Sequence, residues 1–268
     1  MALREVFEEF SNRKFIFVAP GGNQGDFLIY QGAFKLADEL GLNYKHVLAP
    51  LNWKAETYGK SKVIYLHGGG GFTSWWDWTP WLLRMLRDAN PKKHIIIGPT
   101  TVDTNRRYLD HILNMDDKMT FFARERTTFN IMQHYCDDVR LDHDTALHLN
   151  FGDGYLRRVV GKFEPRNGHD LLVLRQDPET STHLPREIRQ RDFGVVCDPV
   201  RIGDWGRLHM HAHRIVANRL HSAILGAILG KDTSLFAGAY HKNRSVWEYS
   251  LNDMGVKWIG RQSVDISL

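Results

Sequence analysis

KVIYLHGGGGF, Lys62–Phe72, joins a β-prone apolar run to four consecutive glycines. An unbroken run of Val, Ile, Tyr and Leu marks a strand buried on both faces, as in a parallel sheet covered by helices. The glycines bring no side chains to pack and sacrifice chain entropy, so the backbone beside them must come unusually close to something. Similar runs recur on either side: FIFVA (Phe15–Ala19), HIIIG (His94–Gly98), TFFA (Thr120–Ala123) and VRLD (Val139–Asp142) in the first half. The second half supplies LLVLR (Leu171–Arg175), FGVV (Phe193–Val196), RIVA (Arg214–Ala217), SLFAG (Ser234–Gly238) and VKWIG (Val256–Gly260). Helical patterns lie between them, the clearest being DFLIYQGAFKLADEL from Asp26 to Leu40. This alternation predicts an α/β fold of two Rossmann-like, doubly wound domains, 1–150 and 151–268, facing across a cleft with ligands at the carboxyl ends of both sheets. FGDGYLRRVVGKFEPRNG, after Leu149, reads as the linker.

A chain of 268 residues that is 43% hydrophobic has enough apolar material for one large or two modest soluble domains. No apolar run approaches a membrane span, and the start MALREVFEEFSNRK is mixed in charge, so the reading is a cytoplasmic protein without signal peptide or transmembrane segment. The two cysteines, Cys136 and Cys197, are far apart and without partners at metal-ligand spacing, which argues against a disulfide framework or a zinc site. A net charge of +4 suits anionic ligands. Because the basic residues are scattered rather than gathered in a stripe, a nucleic-acid partner is not expected.

The unusual residues stand at the predicted strand ends. PGGNQGD (Pro20–Asp26) follows the first strand and opens a helix, offering backbone N–H groups and a positive dipole end to a phosphate or carboxylate; the structural alternative is a tight turn with Asp26 as the helix cap. In ANRLHSAILGAILG (Ala217–Gly230), a strand ends, Arg219 and His221 appear, and a helix runs to Gly230 as its C-terminal cap. Arg219 can clamp an anion and His221 can transfer a proton at the same place, or the two can serve as a capping pair. LRQDPE puts Arg175 and Asp177 after another strand, and FARERTTF puts Arg124, Glu125 and Arg126 after a further one, where they either make the cleft positive or form surface ion pairs. HMHAH (His209–His213) places three histidines on one face if extended, a possible metal set, although no carboxylate pattern completes it and no metal is expected. Trp75, Trp76, Trp78 and Trp81 suit either stacking on sugar faces or a hydrophobic lid.

In combination these segments resemble the polysaccharide pyruvyltransferase family. GNQGDFLI, HGGGGF, ARERTTF, DTAL (Asp144–Leu147), LRQD, and RLHSAILGAILG followed by AYHKN stand in the family's order over nearly the whole chain. Thr127 and Thr128 depart from the pattern, standing where a serine is usual. The resemblance implies a GT-B-like pair of Rossmann-type domains. It also implies transfer of the enolpyruvyl carbons of phosphoenolpyruvate to a sugar diol, with no separate cofactor. Arg219 and His221 match the family's donor motif and are expected to be catalytic; Arg175 matches its Arg-x-Asp arginine, beside Asp177. Donor and acceptor binding is then expected from Leu220 and Ser222 at the helix start, Lys242, Arg124, Asn23, Gly25, Asp26, Gly69 and Gly70. The first domain falls on the acceptor side and the second on the phosphoenolpyruvate side. The acceptor is a saccharide or lipid-linked glycan, met in the cytoplasm or at the inner face of the membrane. Two other functions suit the same residues: a GT-B glycosyltransferase using a nucleotide sugar, and a catalytically silent glycan- or anion-binding module.

Overall fold

The computed structural model describes residues 2–49, 62–73, 75–103, 118–163, 168–180, 188, 195–197 and 202–260. The chain divides into two compact units, Met1–Gly161 and Lys162–Leu268. The first contains α1 (Ala2–Glu9), β1 (Lys14–Ala19), α2 (Gln24–Glu39), β2 (Asn43–Leu48), β3 (Lys62–Leu66), β4 (Gly69–Phe72), α3 (Trp78–Ala89) and β5 (Ile95–Val102). It continues with β6 (Met119–Ala123), α4 (Arg126–Met132), β7 (Asp138–Leu141), a 3-10 turn (Thr145–His148) and α5 (Gly154–Val160).

All described pairings in its sheet are parallel, in the order β2-β1-β3-β5-β6-β7, with β4 against the distal part of β5. Strand alternation sends Ile16, Val18, Ile64 and Leu66 to one face, where α3 covers them with Leu82, Leu83 and Leu86. Phe15, Phe17, Val63 and Tyr65 go to the other, against Leu3, Val6 and Phe7 of α1 and Ile29 and Ala33 of α2. Two covered faces explain why these strands are apolar throughout.

The second unit holds β8 (Asp170–Val173), β9 (Val195–Cys197), α6 (Ile202–His211), β10 (Arg214–Ala217), α7 (Leu220–Ile228), β11 (Asp232–Phe236), α8 (Lys242–Val246) extended by a π turn (Trp247–Leu251), and β12 (Lys257–Ile259). Its sheet is also parallel, ordered β12-β11-β10-β8-β9.

Both orders reverse direction once. In the first unit the chain moves from β1 outward to β2 and returns to the other side with β3; in the second it moves from β8 to β9 and returns with β10. In open parallel sheets the crevice at such a reversal, beyond the carboxyl ends of the strands, is where ligands bind. The segments after β1 and β3, and after β8 and β10, are therefore the positions the fold sets aside.

Several expectations from the sequence need correction. Asn43–Leu48 forms an edge strand that the sequence conceals, because its residues are half exposed and NYKHVL lacks an apolar run. The stretch after Leu149 is not a bare linker: α5 belongs to the first unit, with Leu156, Val159 and Val160 buried and Lys35 paired to Asp153 at 3.0 Å. HMHAH is helical through His211 rather than extended, so successive histidines diverge; His209 is buried while His213 is exposed. The tryptophans divide: Trp78 packs on the core and donates to the Ala49 carbonyl at 3.1 Å, whereas Trp76 and Trp81 are exposed. Phe193 and Gly194 of FGVV lie outside the described residues.

Candidate active site

In the second unit, the sequence-predicted residues converge. Arg175 leaves β8 and folds back on Asp177, its Nε donating to Oδ1 at 2.8 Å and its NH2 to Oδ2 at 2.9 Å. This is a bidentate pairing of planar guanidinium with planar carboxylate, which fixes orientation as well as attraction. Arg219, at the end of β10, reaches the same Asp177 Oδ2 at 3.4 Å. Lys242, at the start of α8, donates to Glu179 Oε2, and Arg175 NH1 meets that oxygen at 3.0 Å. Thus one connected network joins Arg175, Asp177, Glu179, Arg219 and Lys242, three cations against two carboxylates.

The network sits in low-dielectric surroundings. Arg175, Glu179 and Lys242 side chains are 8%, 3% and 6% exposed, while Asp177 and Arg219 reach solvent more, at 20% and 18%. Burial alone pushes the Asp177 carboxyl up, but the hydrogen bonds and charge of Arg175, with Arg219 behind them, hold it below its ordinary value. Burial likewise disfavours the Arg175 cation, and Asp177 and Glu179 more than offset it.

Two asparagines that sequence reasoning did not select hold the frame. Asn218 Oδ1 accepts from the Arg175 backbone N–H at 2.8 Å. Asn243 Nδ2 donates to the carbonyls of Asn218 at 2.8 Å and Phe236 at 2.9 Å, so the ends of β8, β10 and β11 are tied together. For Asn218 a signal was present: an asparagine directly after a strand has side-chain groups suited to the backbone groups a strand end leaves open; Asn243, inside α8, carried none. Glu179 was missed because a glutamate two residues beyond Asp177 looks like an ordinary surface charge.

Leu220, His221 and Ser222 form the first turn of α7, with Arg219 at the N-cap position and no capping side-chain hydrogen bond. Leu220 and Ser222 are buried and His221 is half-buried. Behind this turn, Trp205 Nε1 donates to Ser222 Oγ at 3.2 Å, and the Trp205 carbonyl meets His209 Nδ1 at 2.8 Å. His209 is thereby a supporting residue, its pKa lowered to about 4 by burial. Among the described residues, no group of three His, Cys, Asp or Glu is placed to hold a metal.

In the first unit, Asn23, Gly25, Asp26 and Gly69 also meet, but on different terms. Asn23, not Asp26, caps α2: its Oδ1 accepts from the Gly25 N–H at 2.8 Å, and Asp26 Oδ2 accepts from the Asn23 N–H at 2.7 Å. This capping box uses N–H groups, those of Asn23 and Gly25 among them, that the glycine turn was expected to offer to an anion. Gly69 has φ +137°, and a Cβ there would lie 3.2 Å from Asp26 Oδ1. At Gly68 a Cβ would stand 2.1 Å from the Pro99 carbonyl oxygen. The glycine run is thus a strand, β4, pressed against β5, with the Thr100 hydroxyl donating to the Gly69 carbonyl at 2.7 Å. Gly70 lies half-buried in the same strand.

Arg124 is fully buried, not a rim cation. Its Nε donates to Thr101 Oγ1 at 2.8 Å and its NH1 to Asp144 Oδ2 at 2.7 Å. Glu125, also buried, caps α4 through the Thr128 N–H, while Arg126 is exposed. The Thr128 hydroxyl accepts from the Val102 N–H at 2.9 Å, a bond a serine could equally accept. Asp144 belongs to DTAL; the next residue, Thr145, donates its hydroxyl to the Ile29 carbonyl at 2.9 Å. The motifs of this unit hold one another.

Comparison with known proteins bears on both units. The model of the family described as polysaccharide pyruvyl transferase matches residues 23–237, most of the chain. A crystal structure of a functionally uncharacterized protein from Klebsiella pneumoniae subsp. pneumoniae NTUH-K2044 is similar at a TM-score of 0.71 and 21% identity, covering 97% of this chain and 98% of that one. At that identity the likeness concerns the fold. No curated protein matches the chain. Among the described residues, no helix is long and apolar enough to cross a membrane.

Proposed function

The chain belongs to the polysaccharide pyruvyl transferase family, and from that premise we propose that it moves the enolpyruvyl carbons of phosphoenolpyruvate onto a sugar diol of a polysaccharide or glycan precursor. The products are a pyruvate ketal and phosphate. One observation carries the reading: Arg175, Arg219 and Lys242 gather at the reversal point of the second sheet, joined through Asp177 and Glu179. Phosphoenolpyruvate places a phosphate and a carboxylate on a three-carbon frame, and such a ligand needs several convergent cations. The first turn of α7, with its positive dipole end and an arginine at the N-cap position, adds to the same field.

In this scheme His221 gives a proton to the methylene carbon, leaving C2 an oxocarbenium-like electrophile. A sugar hydroxyl adds to C2 and yields its proton. The bond from C2 to the phosphate oxygen breaks, phosphate leaves, and a second hydroxyl closes the ketal. Of the two hydroxyl protons, one restores His221 and the other leaves with phosphate. Arg175, Arg219 and Lys242 stabilise the departing phosphate, with Asp177 orienting the arginines. No cofactor beyond the donor is called for. The acceptor falls to the first unit, where Asn23, Gly25, Asp26, Gly69 and Gly70 line the other reversal point; a GT-B-like arrangement belongs to the same proposal. Arg124, buried with Asp144, supports this side rather than touching ligand.

Phosphate release from phosphoenolpyruvate, with and without galactose-, mannose- and glucosamine-type acceptors, tests the reading. Acceptor-dependent release that is lost in Arg219→Ala is the expected result. A thermal shift with a nucleotide sugar but no release would instead indicate a glycosyltransferase. Anion binding without turnover on any acceptor would indicate a silent binding module.

A further inference from the structure

We propose that Glu179 is a positioning residue of the donor site: its single carboxylate holds the Arg175 guanidinium and the Lys242 ammonium side by side, so that both meet one anion. The inference rests on the donor reading above.

Glu179 is held at every level. Its side chain is 3% exposed and Oε2 receives both Arg175 NH1, at 3.0 Å, and Lys242 Nζ. Its backbone N–H donates to Asp177 Oδ1 at 3.1 Å, and its carbonyl accepts from the Ala239 N–H at 3.1 Å. The Glu179 backbone therefore lies between the segment after β8, which carries Arg175, and the segment after β11, which carries Lys242. Two cations brought together out of water repel unless a carboxylate stands between them. Lysine also loses much rotamer freedom when fixed, and it stays fixed only where a partner is already in place. Asp177 performs the equivalent task for Arg175 and Arg219. Glu179 thus adds the third cation to a pair already oriented.

Glu179→Gln keeps the side chain's shape and removes its charge. The expected result is a rise in KM for phosphoenolpyruvate of about tenfold with a smaller fall in kcat, because Arg175 and Lys242 keep their charges for the departing phosphate but are no longer held side by side to receive the donor. Calorimetry with phosphoenolpyruvate and with inorganic phosphate should show the same weakening; circular dichroism stays near wild type, while thermal unfolding moves to lower temperature because two buried cations lose their shared carboxylate. Should Glu179→Gln not fold, Glu179→Asp reads the same quantity, since a carboxylate withdrawn by one methylene cannot reach both cations. Wild-type affinity and KM in the folded variant would overturn the positioning role. If wild type binds these anions but releases no phosphate with any acceptor, the donor reading falls, and the variant's affinity still decides the role of Glu179. Wild type that binds neither probe overturns both.

Discussion

Two helices in this molecule begin at the reversal point of a parallel sheet, and they begin differently. At α2, Asn23 and Asp26 close a capping box, so N–H groups of the helix start, those of Asn23 and Gly25 among them, are bound by the chain's own side chains and a carboxylate stands at the dipole end. At α7, an arginine occupies the N-cap position, with no capping side-chain bond, and two further cations lie within its network. The first arrangement repels an anion and the second attracts one. The arginines at strand ends teach the same lesson: Arg124 is 0% exposed and locked to Asp144 at 2.7 Å, whereas Arg219 is 18% exposed and holds Asp177 at 3.4 Å. Identical residue types at strand ends thus divide into architecture and chemistry according to how deeply they are buried.

The sharpest way to break this division is to remove each arginine in turn. We predict that Arg124→Ala loses about 3–5 kcal/mol of stability, because Asp144 is left as an uncompensated buried charge. Urea unfolding measures this; a change below about 1 kcal/mol would mean that the pair is not architectural. The second unit offers an effect of similar size through acid. Burial lowers the His209 pKa to about 4, so the folded imidazole refuses a proton that the unfolded one accepts near 6.5. Its contribution is fully present above pH 6.5 and is lost as pH falls through 6.5 towards 4, amounting to about 3 kcal/mol at the acid end. His67, lowered by burial in the first unit, acts in the same direction. Unfolding at pH 7.5 and 5.0 should show a shallower acid loss in His209→Gln than in wild type, and equal slopes would remove His209 as the support of the α7 turn.

Arg219→Ala should behave oppositely to Arg124→Ala. Its expected signature is a roughly hundredfold loss in kcat/KM for phosphoenolpyruvate, with stability changed by less than about 1 kcal/mol. If Arg219→Ala instead unfolded the protein while Arg124→Ala lost turnover, the assignment of the two sites would have to be exchanged.

Much of the fold was legible because buried parallel strands are written as unbroken apolar runs: Lys62–Leu66 and Arg214–Ala217 are strands with the boundaries their residues suggest. Gly230, with φ +65°, follows the end of α7 as a glycine cap should. The edge strand Asn43–Leu48 was not legible, since a half-exposed strand carries no such run. Nor was β4, because glycine has no strand propensity; its pairing with β5, Gly69 beside Thr100 and Phe72 beside Val102, explains it. At the site, Arg175, Asp177 and Arg219 could be named from their places after strands and Lys242 from the family resemblance, and the structure joins them. Arg124 looked the same on paper. What set it apart was Asp144, a long-range partner visible only once β6 and the turn at Thr145–His148 are packed together.

The smallest predicted effect bears most directly on the comparison of the two helix starts. Asn23 is exposed and its Oδ1 accepts the Gly25 N–H at 2.8 Å, so Asn23→Ala removes one half of the capping box. Loss of such a cap costs about 1 kcal/mol. If Asn23 only caps, unfolding free energy falls by that amount and KM for both substrates stays at wild type. If it also meets the acceptor, KM for the sugar rises while KM for phosphoenolpyruvate does not, because the donor cations belong to the other unit. A rise in the phosphoenolpyruvate KM alone would contradict this division, since it would place the donor at a helix start where the Asp26 carboxylate already holds the Asn23 N–H.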